Sequence, residues 1–305
     1  MRCDLCGRDG GRTILTGSDR RHALPGLFAV VACPGCGLAR TEPRPGDPSA
    51  WYPPGYRQHT SGGGMLERAS AAALRAAATR PGATAGVVTR LVPSSELGGP
   101  LEPGARVLDV GAGNGAAVAA LRRAGLDAWG IEPSEAGVAA ARARGLETVV
   151  LGTLEESPLR ERSWDLVRFA HSLEHVPSPL GALRAARAAL APKGRVVVHA
   201  PNFASAGRGR FGADWDGLEL PRHLHHLTPE TLRLLLWAAD LEPVLVRTEP
   251  LFGVLSASLD ARRARGGPQN GWGRRLPARL ASYPAEVALA LAGTGSGLTA
   301  VARRP

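Results

Sequence analysis

The sequence has few of the features that mark secreted or membrane-spanning chains. None of its apolar runs approaches the roughly 20 residues that cross a bilayer, and its first residues lack the basic and then apolar layout of a secretory signal. We therefore expect a cytosolic protein without a membrane span. Because disulfides are disfavoured in the cytosol, the four cysteines of the chain need another role.

Lysine is almost absent, since Lys193 is the only lysine among 37 basic residues. The formal net charge of +10 comes from the two ends: residues 1–100 carry +5 and residues 251–305 carry +6, whereas residues 101–250 carry −1. A neutral centre argues against a nucleic-acid surface there and favours a small-molecule substrate. Contacts with nucleic acid or a membrane surface stay open for the two ends, and the sequence does not indicate an oligomeric state.

All the cysteines lie in two copies of Cys-x-x-Cys-Gly near the N-terminus. Each copy forms a turn that points two thiolates at one ion, and two such turns complete a tetrahedral zinc site, in preference to free thiols or a redox pair. The predicted ligands are Cys3, Cys6, Cys33 and Cys36. A closed site has no open position for water, so we expect a structural ion that stabilises a small module of residues 1–50.

A proline- and glycine-rich stretch follows the cysteine module and predicts an irregular linker. Beyond it, residues 65–79 and 83–91 are alanine-rich and predict helices, so residues 51–100 are interpreted as a linker and helical lid. Aromatic residues are scarce in the chain, yet Tyr52 and Tyr56 lie together in this linker. They either fill the seam between domains or close over an active site, where they would contact the substrate.

From residue 101 onward, apolar strands alternate with amphipathic helices. This alternation predicts an α/β domain over residues 101–305, with a parallel sheet covered by helices on both faces. Ligands of such sheets bind at the carboxyl ends of the strands. The predicted strands are 106–110, 128–132, 147–151, 165–170 and 195–200, and the predicted helices are 116–124, 134–144 and 179–190.

The first of these strands runs into a glycine-rich turn that fits two kinds of ligand. Gly111, Gly113 and Ala116 match the dinucleotide pattern Gly-x-Gly-x-x-Ala. Asp109, however, precedes the first glycine, where a carboxylate would repel a pyrophosphate at the helix N-terminus and would suit an ammonium group. We therefore expect S-adenosylmethionine, a zwitterionic sulfonium nucleoside, rather than a dinucleotide. Glu132 ends the second strand and would accept hydrogen bonds from the ribose of either ligand.

Several motifs follow one another in a recognisable order over residues 101–250. They are VLDVGAGNG, GIEPS, LGTLEE, WDLVRFAHSLEHVPSP, LAPKGRVVVHAPN and PRHLHHLTPETLRLLL. In this order they resemble the class I S-adenosylmethionine-dependent methyltransferases, in the branch that includes ubiquinone-pathway O-methyltransferases and bacterial sugar and natural-product methyltransferases. The resemblance implies a Rossmann-like, doubly wound sheet of seven strands behind a small zinc-ribbon-like N-terminal module.

The resemblance also implies which residues hold the cofactor. Thr153 and Leu154 would flank the adenine, and Ala170 and His171 would line the floor beneath the sulfonium. The chain lacks the adenine-side aspartate of many relatives, because it reads GTLE at that place. The complete predicted cofactor set is Asp109, Gly111, Ala112, Gly113, Glu132, Pro133, Thr153, Leu154 and Ala170.

Histidines supply the candidate bases for the acceptor. Methyl transfer from a sulfonium is an in-line displacement, so alignment contributes most of the catalysis and a base only deprotonates the acceptor. His223 is the leading candidate, followed by His175 and then His171, and all three follow predicted strands. In the alternative interpretation Glu174 and His175 brace the start of a helix. We set aside a metal site at PRHLHH because no acidic ligands group with it in the sequence.

The segment PRHLHH also supplies candidate acceptor contacts. Alternation would send His223 and His225 to one side and His226 to the other, so we expect at least one of them to pack and place His226 among the acceptor contacts. Sugar C-methyltransferases have a Glu-His pair where this chain has Arg222 and His223. This difference favours O-methylation, and Arg222 would hold an acidic group of the acceptor.

The C-terminal part predicts two last strands at 242–248 and 298–303, separated by an insertion at about 250–297. This insertion is either a helical surface segment or part of an acceptor pocket or dimer contact. The preferred function is methyl transfer to a sugar or specialised metabolite. One alternative is an RNA methyltransferase that grips its substrate with the zinc module, although the Asn/Asp-Pro-Pro-Tyr type of motif is absent. The second alternative is a non-enzymatic regulator or scaffold that keeps the fold.

Overall fold

Two β-sheets organise the chain in a computed structural model that describes residues 2–44, 51–52, 56, 97–161, 163–264 and 271–305. The helices predicted over 65–79 and 83–91 lie outside the described residues. In chain order the strands are β1 (Arg12–Gly17), β2 (Phe28–Ala32), β3 (Ala39–Glu42), β4 (Arg106–Val110), β5 (Asp127–Glu132), β6 (Val149–Leu151), β7 (Trp164–Ala170), β8 (Leu190–Pro201), β9 (His225–His226), β10 (Glu242–Glu249) and β11 (Gly297–Arg303).

The larger sheet has seven strands in the order β10-β11-β8-β7-β4-β5-β6. The five strands from β8 to β6 are parallel to one another, and β11 is antiparallel to both of its neighbours. This order confirms the predicted doubly wound α/β fold. Strand β8 begins five residues earlier than predicted, because Leu190 pairs with Trp164 across a register shift that Pro192 and Gly194 conceal in the sequence.

Helices cover both faces of the seven-stranded sheet. They are α1 (Ala116–Arg123), α2 (Glu135–Arg142), α3 (Pro179–Ala189), α4 (Ala206–Phe211), α5 (Pro229–Ala238), α6 (Val254–Arg263) and α7 (Leu276–Leu291). Val107 of β4 packs with α1 and α2, whereas the next residue, Leu108, packs on the opposite face with α3 and α5. Alternate side chains of one buried strand thus serve two cores, which explains its unbroken apolar run.

The insertion between β10 and β11 contains α6 and α7. Glu286 of α7 is buried, and its carboxylate accepts hydrogen bonds from the backbone N–H groups of Leu251 and Leu255 at 3.4 and 3.2 Å. These contacts satisfy donors at the start of α6, where negative charge is favourable. Within the described part of the chain, no helix combines the length and the apolar character that a bilayer crossing requires.

The smaller sheet joins the N-terminal module to the rest of the chain. Its order is β1-β2-β3-β9, and all of its pairs are antiparallel. Ala39 and Arg40 of β3 pair with His226 and His225 of β9, which belong to the PRHLHH segment. The sheet therefore crosses the predicted boundaries at residues 50 and 100.

A buried ion pair holds the same two parts together. Both guanidinium Nη atoms of Arg222 donate to the Asp19 carboxylate, at 2.7 and 2.8 Å, and both side chains are 0% exposed. Asp19 also accepts the backbone N–H groups of Arg21 and His22 at 3.0 Å. Burial alone would raise the pKa of Asp19, but Arg222 and these two N–H groups outweigh it and hold the pKa below its usual value.

We expect Asp19→Asn to destabilise the fold by about 3–5 kcal/mol, because it removes the carboxylate that both Nη atoms of the buried Arg222 contact and leaves Glu219 as its one charged partner among the contacts described. Urea unfolding of the full-length chain measures this loss. The control is Asp9→Asn, which changes an exposed aspartate of the same module and should alter stability by no more than about 0.5 kcal/mol. Equal losses in the two variants would contradict the importance of the ion pair.

Candidate active site

The glycine turn between β4 and α1 lies against the loop that follows β7. Gly111 has a φ of +79°, and a Cβ atom at this position would lie 2.5 Å from the Cβ of Ser172. Only glycine fits this close approach and this left-handed backbone without strain. The Ser172 hydroxyl donates to the carbonyl of Val110 at 2.5 Å, so the predicted cofactor turn and the loop with the predicted bases are in direct contact.

Glu132 closes the glycine turn from the side. Its carboxylate accepts the backbone N–H groups of Gly113 and Ser134 at 2.8 and 2.9 Å. Burial raises the pKa of Glu132, while these two N–H groups oppose the rise. Of the neighbouring predicted cofactor residues, Ala112 is buried in the turn and Pro133 is exposed. The turn and the end of β5 thus form one hydrogen-bonded unit.

Asp109 is paired with a cation that sequence reasoning missed. Asp109 lies opposite Arg168 in the β4–β7 register, and the Arg168 guanidinium donates to the carboxylate at 2.7 Å with both residues buried. Burial raises the pKa of Asp109, and Arg168 opposes this rise. The predicted reason for excluding a pyrophosphate is therefore wrong in part, because Arg168 offsets the Asp109 charge. The sequence does contain a signal for this pair, because Arg168 is a charged residue within the apolar run of a buried strand.

The remaining predicted cofactor residues lie at the ends of β6 and β7. Leu154 is fully buried in the core and Thr153 is exposed. Ala170 ends β7, and His171 follows it with a φ of +55° and a side chain that is 46% exposed. The backbone N–H of His171 donates to the carbonyl of His199 at 2.9 Å. A left-handed conformation at a histidine is costly, and such strain concentrates at functional sites.

Three side chains form a buried polar cluster beyond the glycine turn. One ligand-type atom from each of Glu174, His175 and His223 lies within 4.8 Å of those of the other two. The Glu174 side chain is 1% exposed, and its carboxylate is 3.6 Å from the ring of His171 and 4.0 Å from that of His223. Burial alone would raise the pKa of Glu174, but the three histidines outweigh it and the pKa is lowered. Glu174 therefore lies with two of the candidate bases. The expectation that no acidic ligand groups with PRHLHH is wrong.

The hydrogen bonds of His223 fix its tautomer. Its Nδ1 is 2.9 Å from the backbone carbonyl of Gly217, which can only accept, so Nδ1 carries the proton. The lone pair of Nε2 then faces two carboxylates, Glu219 at 3.7 Å and Glu174 at 4.0 Å. Burial, assisted by His175, lowers the pKa of His223 to about 4, so its ring is neutral near neutral pH.

Glu219 is a second buried carboxylate beside His223, and it was not predicted from the sequence. It has a φ of +38°, forms ion pairs with Arg21 and Arg222, and accepts a hydrogen bond from the Tyr56 hydroxyl at 3.1 Å. Burial would raise the pKa of Glu219, but the neighbouring cations dominate and lower it. Its position four residues before His223 was the only sequence signal.

The linker tyrosines reach the cluster. The Tyr52 hydroxyl is 3.0 Å from Nδ1 of His175, and the rings of Tyr52 and Tyr56 stack edge to face with centroids 5.0 Å apart. Nδ1 of His175 also lies 3.1 Å from the carbonyl of Arg222. Both tyrosines are therefore positioned beside the candidate bases.

Two predicted acceptor contacts face away from the cleft. The Arg222 side chain is 0% exposed and bonds Asp19, Glu219 and the carbonyl of Trp51, so the prediction that it holds an acidic acceptor group is wrong. His226 is also buried, and its Nε2 is 2.9 Å from the hydroxyl of Thr41 in β3. These two residues hold the N-terminal sheet in place.

The four cysteines converge as predicted. The four Sγ atoms lie within 4.8 Å of one another. The Sγ atoms of Cys3 and Cys36 are 3.5 Å apart, and those of Cys6 and Cys33 are 3.4 Å apart. Asp4, inside the first Cys-x-x-Cys turn, accepts the Ser178 hydroxyl at 2.6 Å and the Leu180 N–H at 2.9 Å. The cysteine turn thus caps α3, the helix that follows the loop of Glu174 and His175.

The insertion forms part of a separate cavity. This cavity of about 510 Å³ lies among α4, α6 and α7, and its lining includes Phe211, Leu255 and Leu289. Among the described residues that line it there is none of the three predicted catalytic histidines.

Comparison with known proteins identifies relatives of the larger domain. The sequence profile of the family described as Methyltransferase domain matches residues 78–246. A ubiquinone biosynthesis O-methyltransferase of Bordetella avium is 34% identical over 165 residues, which are 48% of this chain and 66% of that protein. A ubiquinone biosynthesis O-methyltransferase of Xanthomonas campestris pv. campestris strain B100 is 33% identical over 152 residues, which are 46% of this chain and 64% of that protein. The chain thus spans just under two thirds of the length of these curated relatives.

Similar folds are found among solved structures. A SAM-dependent methyltransferase from Thermotoga maritima has a TM-score of 0.48 and 20% identity, and the match covers 79% of this chain and 92% of that one. The CcbJ methyltransferase from Streptomyces caelestis has a TM-score of 0.45 and 17% identity, and the match covers 80% of this chain and 91% of that one.

The Asp109–Arg168 pair predicts strong coupling between the two residues. Arg168→Met and Asp109→Leu should each cost about 3–5 kcal/mol, because each leaves a buried charge without its partner. The double variant should cost much less than the sum, since it removes both charges. Urea unfolding of the three variants and the unsubstituted chain measures the coupling, and additive losses would contradict it.

Proposed function

Because the chain belongs to the class I S-adenosylmethionine-dependent methyltransferases, we propose that it transfers the methyl group of S-adenosylmethionine to a hydroxyl oxygen of a small molecule. The contact between Ser172 and Val110 carries this proposal. It brings the donor side of the cleft, the glycine turn, against the loop that holds the candidate proton acceptors. Donor and acceptor would therefore meet at the carboxyl ends of β4 and β7, where such sheets bind ligands.

The donor side fits a nucleoside. At Gly111 the backbone approaches Ser172 so closely that no side chain fits between them, which holds the glycine turn beside the loop after β7. Glu132 keeps a carboxylate at the end of β5, where it would accept hydrogen bonds from ribose hydroxyls. The proposed cofactor-binding set remains Asp109, Gly111, Ala112, Gly113, Glu132, Pro133, Thr153, Leu154 and Ala170. When bound, S-adenosylmethionine supplies an electrophilic methyl group on a sulfonium.

The acceptor side supplies alignment and proton acceptors. We propose that Tyr52 and Tyr56 contact the acceptor, since both border the histidine cluster. His223 and His175 are the proposed bases, because each has a ring nitrogen that faces no backbone carbonyl, and His171 connects the cluster with solvent. The similarity to proteins named ubiquinone biosynthesis O-methyltransferases supports a hydroxyl acceptor, and the neutral central region supports a small one.

We also propose that the four cysteines hold a structural Zn²⁺. The support is their mutual approach to within 4.8 Å and their number, which fills a tetrahedral site. Such an ion would stabilise the turn from which Asp4 caps α3. The N-terminal module would thereby help to position the loop that carries Glu174 and His175.

Donor binding tests the proposed function most directly. Isothermal titration calorimetry should show S-adenosylmethionine binding that Asp109→Ala and Glu132→Ala each weaken by about 10- to 100-fold, the effect of losing a hydrogen bond to a charged group. Glu135→Ala changes an exposed glutamate beside the same turn and is the matched control. The chain should also form S-adenosylhomocysteine with a panel of catechols and sugars. Failure to bind the donor would refute the function.

Removal of the proposed zinc ligands gives a separate prediction. The variant with both Cys3→Ser and Cys36→Ser should contain one zinc equivalent less per chain than the unsubstituted protein, because two hydroxyls cannot replace two thiolates. Elemental analysis measures the zinc, and a thermal melt should show a lower Tm. Equal zinc contents in the two proteins would disprove the site.

A further inference from the structure

Glu174 is a buried carboxylate without hydrogen bonds. Its side chain is 1% exposed, and within the described part of the chain neither oxygen has a hydrogen-bond partner. The nearest polar atoms are ring nitrogens of His171 and His223, at 3.6 and 4.0 Å. An ionised carboxylate is costly in such surroundings unless a cation or donors compensate it. The described surroundings of Glu174 therefore offer histidine rings but no arginine or lysine and no hydrogen-bond donor within bonding distance.

The two neighbouring histidines are oriented in the way that metal-binding histidines usually are. Nδ1 of His223 bonds the carbonyl of Gly217 at 2.9 Å, and Nδ1 of His175 lies 3.1 Å from the carbonyl of Arg222. Each carbonyl requires a proton on the nitrogen that it contacts, which leaves Nε2 of each ring with its lone pair. Metal-ligating histidines typically donate their other N–H to a carbonyl or carboxylate in this manner.

Nε2 of His223 lies between two buried carboxylates. Its lone pair faces the carboxylates of Glu174 and Glu219, and three electron-rich groups in mutual contact repel one another. Glu219 is already paired with Arg21 and Arg222. Glu174, in contrast, has only histidine rings among its described neighbours that could carry a positive charge.

We propose that Glu174, His175 and His223 bind a divalent transition-metal ion at the acceptor side of the cleft, in a site distinct from the four cysteines. Two imidazoles and one carboxylate suit ions such as Zn²⁺, Fe²⁺ or Co²⁺ better than Mg²⁺, which prefers oxygen ligands. Ligand distances of roughly 2.0–2.2 Å place the ligands of one ion about 3–4 Å apart. The three atoms, now within 4.8 Å, would close around an ion with small side-chain rotations.

This inference rests on the proposed function and changes one part of it, because His175 and His223 would bind the ion through the nitrogens proposed above as bases, and His171 would take over the proton. Three protein ligands leave a coordination position open for the acceptor hydroxyl, and coordination lowers the pKa of that hydroxyl. The O–H bond then breaks and its proton passes to the exposed ring of His171 and on to water. The oxygen forms its bond to the methyl carbon while the carbon–sulfur bond breaks, and the electron pair stays on the sulfur of S-adenosylhomocysteine.

Cobalt binding to the zinc-loaded, full-length chain tests the proposal. A chelator first removes zinc until one equivalent per chain remains, so that the cysteine site stays filled and the site at Glu174 is empty when Co²⁺ is added. We expect a cobalt absorption band without thiolate-to-cobalt charge transfer, since the donors are nitrogen and oxygen. Glu174→Gln and His223→Gln should each weaken cobalt binding by about tenfold or more. Glu286→Gln is the matched control, because it changes another buried carboxylate outside the cluster and should keep the affinity.

A thermal melt guards against variants that misfold. Co²⁺ should raise the Tm of the unsubstituted chain and not that of Glu174→Gln, whereas without added metal Glu174→Gln should melt no lower than the unsubstituted chain. Absent or thiolate-only cobalt absorption, or unchanged affinity in both cluster variants, would overturn the site. If S-adenosylmethionine still bound in that case, the proposed function would stand alone. If cobalt bound and the donor did not, the metal site would stand and the function would fail.

Discussion

The buried pair of Asp19 and Arg222 fixes how the N-terminal module meets the larger domain. The pair also affects the cleft, because Arg222 contacts three other residues at the same time. The guanidinium holds Asp19, its Nε donates to Glu219, and its carbonyl lies 3.1 Å from Nδ1 of His175. One residue thus joins the module, a carboxylate of the cluster and a candidate base. The arrangement of the cleft therefore depends on the docking of a module that contributes no predicted base itself.

The cysteine turns act on the same loop from the other side. Asp4 caps α3, while the backbone carbonyl of Glu174 accepts the N–H groups of Leu224 and His225, which lead into β9. The segment between β7 and α3 is consequently held at both ends by contacts that depend on the N-terminal module. A structural ion there would act on the reaction through position, which explains why a closed metal site can matter to a distant cleft.

Local signals explain which features were predictable from the sequence. The strands of the seven-stranded sheet, the glycine turn and the paired cysteines follow from short-range periodicity and spacing, whereas the smaller sheet was not predicted. Arg168, Glu219 and the isolation of Glu174 depend on which strands and loops become neighbours, which no local pattern encodes. The expectations for Arg222 and His226 failed for a related reason. Arg222 pairs with Asp19, and β9, which contains His226, pairs with β3, so both residues have partners from the distant N-terminal module.

Charge provides the link between the donor and acceptor sides. Asp109 is offset by Arg168, and Glu219 and Asp19 are offset by Arg21 and Arg222, so these carboxylates add little net field to the cleft. Glu132 on the donor side accepts two backbone N–H groups, and Glu174 on the acceptor side lies beside histidine rings. S-adenosylmethionine carries a single net positive charge, and a divalent ion that holds a deprotonated hydroxyl adds one more. Under the proposed function, selection for the sulfonium donor would therefore rest on the cleft as a whole, because Arg168 offsets the charge of Asp109.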